Sequence, residues 1–108
     1  MLYELRTYHA IPGRLADLHR RFAEITMDYF KKHGITVVGF WTNELGGSTD
    51  QLIYMLAWRS LADREQKWGA FITDQERLAK FAETERNGPL VARLTAQILR
   101  PTPYSPMQ

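Results

Sequence analysis

The sequence predicts a single α+β domain: a ferredoxin-like βαββαβ sandwich, with a four-stranded antiparallel sheet carrying its helices on one face. Three observations predict it. Stretches rich in β-branched and aromatic residues, most with a two-residue alternation, occur at Leu2 to His9, Ile35 to Thr42, Gln51 to Trp58 and Val91 to Leu99. Two stretches of helical periodicity fall between the first and second of these and between the third and fourth. The chain has 108 residues, of which 44% are hydrophobic and 12% aromatic, enough for one core and one domain.

Each element has a local cause. Leu2 to His9 alternates as a strand until Pro12-Gly13 breaks it. A helix opens there, because proline is tolerated in a first helical turn. Leu15, Leu18, Phe22, Ile25 and Tyr29 then recur at spacings of three and four and form one stripe. Lys31, Lys32 and His33 suit the carbonyl end of that helix, and Gly34 supplies a left-handed cap. Gly46-Gly47-Ser48-Thr49-Asp50 is turn chemistry and joins the next two strands into a hairpin. Ser60 with Asp63 three residues on resembles a capping box opening a helix at Leu61. Thr73 with Glu76 repeats it, which predicts a break near Thr73 and a restart through Leu78 and Phe81. Asn87-Gly88-Pro89 ends the helical region before the last strand. Pro101, Pro103 and Pro106 predict that residues 102–108 form an extended tail that adds nothing to the sheet, leaving residues 1–101 as the domain.

The two sheet faces differ in chemistry. One carries Leu5, Ile53, Met55, Ala57, Ala92, Leu94, Ala96 and Ile98, and this plainer set is assigned to the helices. The other is read as Glu4, Arg6, Tyr8, Trp41, Tyr54, Leu56, Trp58, Arg93, Thr95 and Gln97. A solvated face would not carry Tyr54, Leu56 and Trp58 on one strand, so a partner is expected to cover it, and a second copy of the chain closes such a face isologously. Glu4 and Arg6 lie two apart on one strand, about 7 Å, and can pair. With Arg93 placed beside them the face holds a surplus positive charge, which predicts that Arg6 or Arg93 meets solvent in a cavity or an anionic ligand. The plainer alternative is that Arg93 runs its stem along the rim and keeps its head wet.

Composition and motifs narrow the function classes. Fourteen Lys+Arg against twelve Asp+Glu leave only +2, too small an excess to argue for a nucleic-acid or acidic-membrane partner. The absence of cysteine removes disulfides, thiolate catalysis and Cys-based metal sites. His9, His19 and His33 lack metal-ligand spacing, so no metal or other cofactor is expected. Ser48, Ser60 and Ser105 lack a nucleophile-elbow context, and Gly46-Gly47-Ser48-Thr49 lacks the lysine of a phosphate loop. The basic run His19-Arg20-Arg21 with Lys31-Lys32 is balanced by Asp17, Glu24 and Asp28. Gln51 to Trp58 lacks the basic residue, glycines and aromatic spacing of an RNA-recognition strand. The longest uncharged stretch, Gly34 to Asn43, is about half a membrane span. Met1-Leu2-Tyr3-Glu4 does not resemble a signal peptide, so the cytoplasm is the expected compartment.

Several segments are similar to the NIPSNAP family: Tyr3-Glu4-Leu5-Arg6-Thr7-Tyr8 followed by Pro12-Gly13, Gly39-Phe40-Trp41-Thr42, Ser60-Leu61-Ala62-Asp63-Arg64, and Ile98-Leu99-Arg100-Pro101. They occur in order over nearly the whole chain. The sequence departs from the family pattern at Asp74-Gln75-Glu76-Arg77, where Gln75 and Arg77 replace a proline and a tryptophan. The resemblance implies a dimeric α/β barrel, in which two sheets close face to face with helices outside, and it brings no agreed catalytic residues. Neighbouring families on this fold include cofactor-free monooxygenases, small isomerases and haem enzymes.

These features fit three functional readings. The first is a homodimeric α/β-barrel protein of the NIPSNAP family, joined through the sheet face and binding a small anionic or aromatic molecule. Its candidate ligand-binding residues are Glu4, Arg6, Tyr8, Trp41, Tyr54, Trp58 and Arg93. The second is a cofactor-free enzyme with a barrel-side or inter-layer pocket, in which Tyr8 and Tyr54 donate protons, Arg6 stabilises an anion, and Trp41 and Trp58 form walls. The third is a scaffold recognising other proteins through its exposed helix faces. An enzyme needs an enclosed pocket with convergent polar groups, and a scaffold needs none.

Overall fold

The computed structural model describes all of Met1–Gln108. The opening alternation forms β1 (Leu2–Ala10), and Pro12 and Gly13 make the turn after it. The first helical region begins as α1 (Leu15–Arg21), passes through a π-helical segment (Phe22–Thr26) and continues as α2 (Met27–Lys32). Gly34, at φ 68°, turns the chain into β2 (Thr36–Trp41), which forms a hairpin with β3 (Gln51–Trp58). Then come α3 (Leu61–Ile72), α4 (Gln75–Thr84) and β4 (Val91–Leu99). The sheet order is β2-β3-β1-β4 with every pair antiparallel, the α+β sandwich that the element order predicts.

Two local features depart from the predicted pattern. The π-helical segment adds a residue to one turn and rotates the side chains beyond it. Thr26 and Phe30 therefore point inward with Leu18, Phe22 and Tyr29, while Ile25, predicted on the stripe, is only partly buried. At the second break Asp74, not Thr73, caps the new helix: its carboxylate accepts from the Glu76 and Arg77 N–H groups. Thr73 still has near-helical torsions and donates its hydroxyl back to the Gly69 carbonyl, whereas Asp74 has the extended backbone that an N-cap needs. The Ser60 cap is as predicted, its Oγ accepting from Asp63 N–H at 3.0 Å.

The assignment of the sheet faces to their layers is corrected. Leu2, Glu4, Arg6, Tyr8 and Ala10 of β1 are buried beneath the helices, together with Tyr54, Leu56 and Trp58 of β3 and the helical rings Phe22, Phe30 and Phe71. The plainer Leu5, Ile53 and Met55 lie on the open face. Placing the plainer apolar set inward fails because Glu4 and Arg6 satisfy each other, and because the helices bring aromatic rings that match Tyr8, Tyr54 and Trp58.

Residues directly opposite in an antiparallel pair share a face. The pairs His9↔Arg93, Thr7↔Thr95 and Leu5↔Gln97 therefore put Arg93, Thr95 and Gln97 on the open face, away from Glu4 and Arg6. Trp41 opposes Ile53 there, and its indole folds back over Gly39, where a Cβ would come within 2.8 Å of the ring. Leu94, Ala96 and Ile98 do face the helix side, as assigned, but the helical layer stops short of β4. Leu94 and Ile98 stay 45% and 41% exposed.

The tail adds no strand, but it is not extended. It turns at Thr102–Ser105 and comes back to the open face, where Tyr3 donates its hydroxyl to the Gln108 carbonyl at 2.6 Å. No helix is long and apolar enough to cross a membrane.

Candidate functional site

Five of the seven predicted ligand-binding residues meet beneath the helices. Alternation along β1 stacks Glu4, Arg6 and Tyr8 on one side, and the β1–β3 register sets Leu56 and Tyr54 opposite the first two. Glu4 is fully buried. Its carboxylate accepts from Arg6 Nη1 at 2.7 Å, from Trp58 Nε1 at 2.9 Å, and from Arg64 Nε and Nη2 at 2.7 and 3.2 Å. Burial alone would raise its pKa, but the hydrogen bonds and charges of Arg64 and Arg6 outweigh that and hold it below the ordinary carboxylate value.

Arg6 carries the charge from Glu4 to a tyrosine pair. Its Nε donates to the Tyr54 oxygen at 2.9 Å and its Nη2, more weakly, to the Tyr8 oxygen at 3.3 Å. Its guanidinium also lies 4.6 Å from the Trp68 ring centroid. Burial pulls the Arg6 pKa down, but the tyrosine oxygens and Glu4 more than offset it, so the group stays cationic. Burial likewise pushes the Tyr54 hydroxyl well above the ordinary phenol range, so it holds its proton at neutral pH. Tyr54 donates that proton to Tyr8 at 3.0 Å. The pair thus retains one phenolic proton with no protein acceptor.

Both tyrosines line a cavity of about 100 Å³ between sheet and helices. Its apolar walls include Phe22, Phe30, Trp68, Phe71 and Phe81, and its polar lining adds Arg21, Thr26 and Arg77. A larger groove, about 320 Å³, lies open along the first helical region and β2, between Phe22, Met27, Phe40 and Leu52. The groove lacks converging polar groups. The inner cavity has them and is the candidate site.

Trp41 and Arg93 stand apart on the open face, and Arg93 makes no ion pair. The second guanidinium expected beside Glu4 exists, but it is Arg64 rather than Arg93. Sequence reasoning missed Arg64, Trp68 and Phe71, although their spacing of four and three makes one helical stripe. It also missed Arg77 and Phe81, four apart on the next helix. Periodicity with the arginines admitted as stripe members would have found them. The histidines are scattered: His9 is on the open face, His19 on the outer groove, and His33 on Asp74. No group of three or more His, Cys, Asp or Glu side chains is gathered as metal ligands would be.

A four-stranded antiparallel sheet with one open face and helices layered on the other defines an α+β protein of ferredoxin-like topology. The NIPSNAP family model matches residues 3–106, and the chain belongs to the NIPSNAP family. Protein Atu4242 of Agrobacterium tumefaciens is similar over 100% of both chains at 25% identity, with a TM-score of 0.84. A NIPSNAP family protein of the same organism, Atu5224, is 23% identical over 99% of this chain and 98% of its own, with a TM-score of 0.85. A Streptomyces coelicolor monooxygenase from ActVA-Orf6, solved with nanaomycin D, shares the fold at 16% identity, a TM-score of 0.56 and coverage of 94% and 87%. No curated protein matches the chain.

Proposed function

We propose that this NIPSNAP protein is a homodimeric α/β barrel whose inter-layer cavity binds a small molecule through the Tyr8–Tyr54 pair. The observation that carries the reading is the unspent phenolic proton of that pair. Glu4, Arg6 and Tyr54 behind it are committed to one another, and within that network this donor alone is left for an acceptor on a ligand. Glu4 and Arg6, on this reading, hold the tyrosines in place, Trp58 anchors Glu4, and Trp41 and Arg93 belong to the dimer side.

Native mass spectrometry of the purified protein is expected to find a small molecule that survives gentle desolvation and is lost in Tyr8→Phe. That substitution removes the Tyr8 hydroxyl while Tyr54 still accepts from Arg6; it also leaves the Tyr54 proton and Arg6 Nη2 without their Tyr8 acceptor, so the fold is checked by circular dichroism. Tyr54→Phe is expected to cost about 1–3 kcal/mol as well, because the Arg6 Nε loses its acceptor in the core. A ligand retained at full occupancy in Tyr8→Phe would sink the reading.

The dimer rests on the bare parts of the sheet. Leu5, Ile53, Met55 and Trp41 give the open face an apolar character, and β4 is uncovered on both sides. A two-fold axis over this face buries both in one contact. Light scattering is expected to give twice the 12.6 kDa chain mass at micromolar concentration, and Ile53→Arg to halve it. A stable wild-type monomer would overturn the assembly but leave the cavity reading standing.

One observation favours a second reading, a cofactor-free enzyme: the Tyr8 hydroxyl, backed by Tyr54 and the Arg6 cation, lines the cavity where a proton donor to a developing anion would stand. The likeness to the monooxygenase supports the fold for this reading and nothing more. Turnover of the bound molecule that disappears in Tyr8→Phe separates the enzyme from the binding protein.

A further inference from the structure

The cavity has a second set of polar side chains besides the tyrosine pair. Arg21, Thr26 and Arg77 are 7%, 3% and 9% exposed and all line it. Two of their atoms, Arg21 Nε and the Thr26 hydroxyl oxygen, are buried with no hydrogen-bond partner. Buried polar groups are nearly always satisfied, so two orphans in the wall of one cavity call for an occupant.

The charges point the same way. Arg21 has Glu85 at 3.0 Å, and Glu4 is taken by Arg6 and Arg64. Arg77 has no carboxylate partner. It donates Nε to the Phe71 carbonyl at 2.9 Å and Nη2 to the Ile72 carbonyl at 3.3 Å, capping the end of α3, and Nη1 is left free. Both Arg21 and Arg77 stack on Phe81, at 4.6 and 4.4 Å from its centroid. Burial lowers the Arg77 pKa and the neighbouring charge of Arg21 lowers it further, outweighing the opposite pull of Asp74 and Tyr8.

We infer that the Arg21–Thr26–Arg77 set in the cavity wall binds the carboxylate of a small organic monoanion, its short apolar body lying among Phe22, Phe30 and Phe71. This rests on the cavity being the ligand site proposed above. One uncompensated guanidinium calls for one negative charge, and a phosphate dianion would bring an excess into apolar walls. The uncommitted donors, Arg21 Nε, Arg77 Nη1 and the Thr26 hydroxyl, together match the two oxygens of a carboxylate. The cavity is small, about 100 Å³, which favours a short body.

Propionate is the probe, with its neutral isostere propionamide and inorganic phosphate beside it at fixed ionic strength. Calorimetric titration of the wild type is expected to show propionate binding at least tenfold tighter than either. Arg77→Met is expected to lose that preference, with circular dichroism confirming the fold. Thr26→Val guards against a helix-cap artefact: its hydroxyl has no protein partner to lose, so the variant is expected to melt no lower than wild type yet bind propionate several-fold more weakly. If propionamide binds as tightly as propionate and Tyr8→Phe abolishes both, the anion site is wrong and the cavity reading survives. If neither probe binds, the anion site falls, and the cavity reading stands or falls on the mass spectrometry of Tyr8→Phe. Propionate affinity unchanged in Arg77→Met and Thr26→Val overturns the proposal and leaves Arg77 as a helix cap alone.

Discussion

Replacing Glu4 by Gln is expected to lower the thermal midpoint by more than about 10 °C, although no backbone contact changes. The carboxylate is buried, and it neutralises Arg6 while accepting from Trp58 and Arg64. The amide retains one acceptor oxygen and turns a donor toward guanidinium and indole N–H groups. Removing one partner of a buried ion pair costs about 3–5 kcal/mol, because the remaining charge stays desolvated. In a domain of this size each kcal/mol moves the midpoint by about 4–8 °C. The double variant Glu4→Gln with Arg6→Met is expected to melt above Glu4→Gln alone, since it removes the stranded charge. The wild type should also carry an acid limb that the single variant lacks. The Glu4 pKa is depressed in the fold, so its contribution is complete above the unfolded value near 4.5 and fades as pH falls through the lower folded value. A Glu4→Gln protein that melts with the wild type at pH 7 would show that the network is ornamental.

Phe22→Ala is expected to cost about 3–5 kcal/mol, read as a lower urea midpoint with an unchanged slope. Phe22 opens the π-helical segment and sends its ring into the sheet, with centroids 5.6 Å from Tyr8, 5.2 Å from Tyr54 and 5.3 Å from Phe40. It is also a wall of the inner cavity. Its loss therefore enlarges a space that already exists, and the surrounding rings cannot close it without giving up their edge contacts. Phe22→Leu, which keeps most of the volume, is expected to lose clearly less. A cost under about 1 kcal/mol for Phe22→Ala would mean that the layer collapses freely and that the cavity is not a preformed site.

Alternation, helical stripes and caps were legible because each is decided within a few residues. The bounds of β3, β4 and the start of α3 come from β-branched and aromatic runs and from the Ser60 cap. The Glu4–Arg6 pairing is a matter of strand geometry alone. The grouping of Tyr8, Tyr54, Leu56 and Trp58 on one side was legible too, since alternation sorts residues within a strand. Alternation cannot say which side meets the helices, or how one strand slides against the next. The structure decides the first by pairing the charges internally beneath aromatic helices. It decides the second through the register that sets Arg93 opposite His9. The π-helical turn, which brings Thr26 and Phe30 inward, likewise has no signal in the periodicity it interrupts. The candidate site depends on all three, because a cavity exists only where elements distant in the chain meet. Local sequence therefore determined the strands, the helices and the acid–base pair on β1. Tertiary packing alone turned that pair inward, set Arg64 on it and gathered Arg21, Thr26 and Arg77 along the cavity that Tyr8 and Tyr54 line, because only the docking of helices on the sheet settles which side chains lose water together.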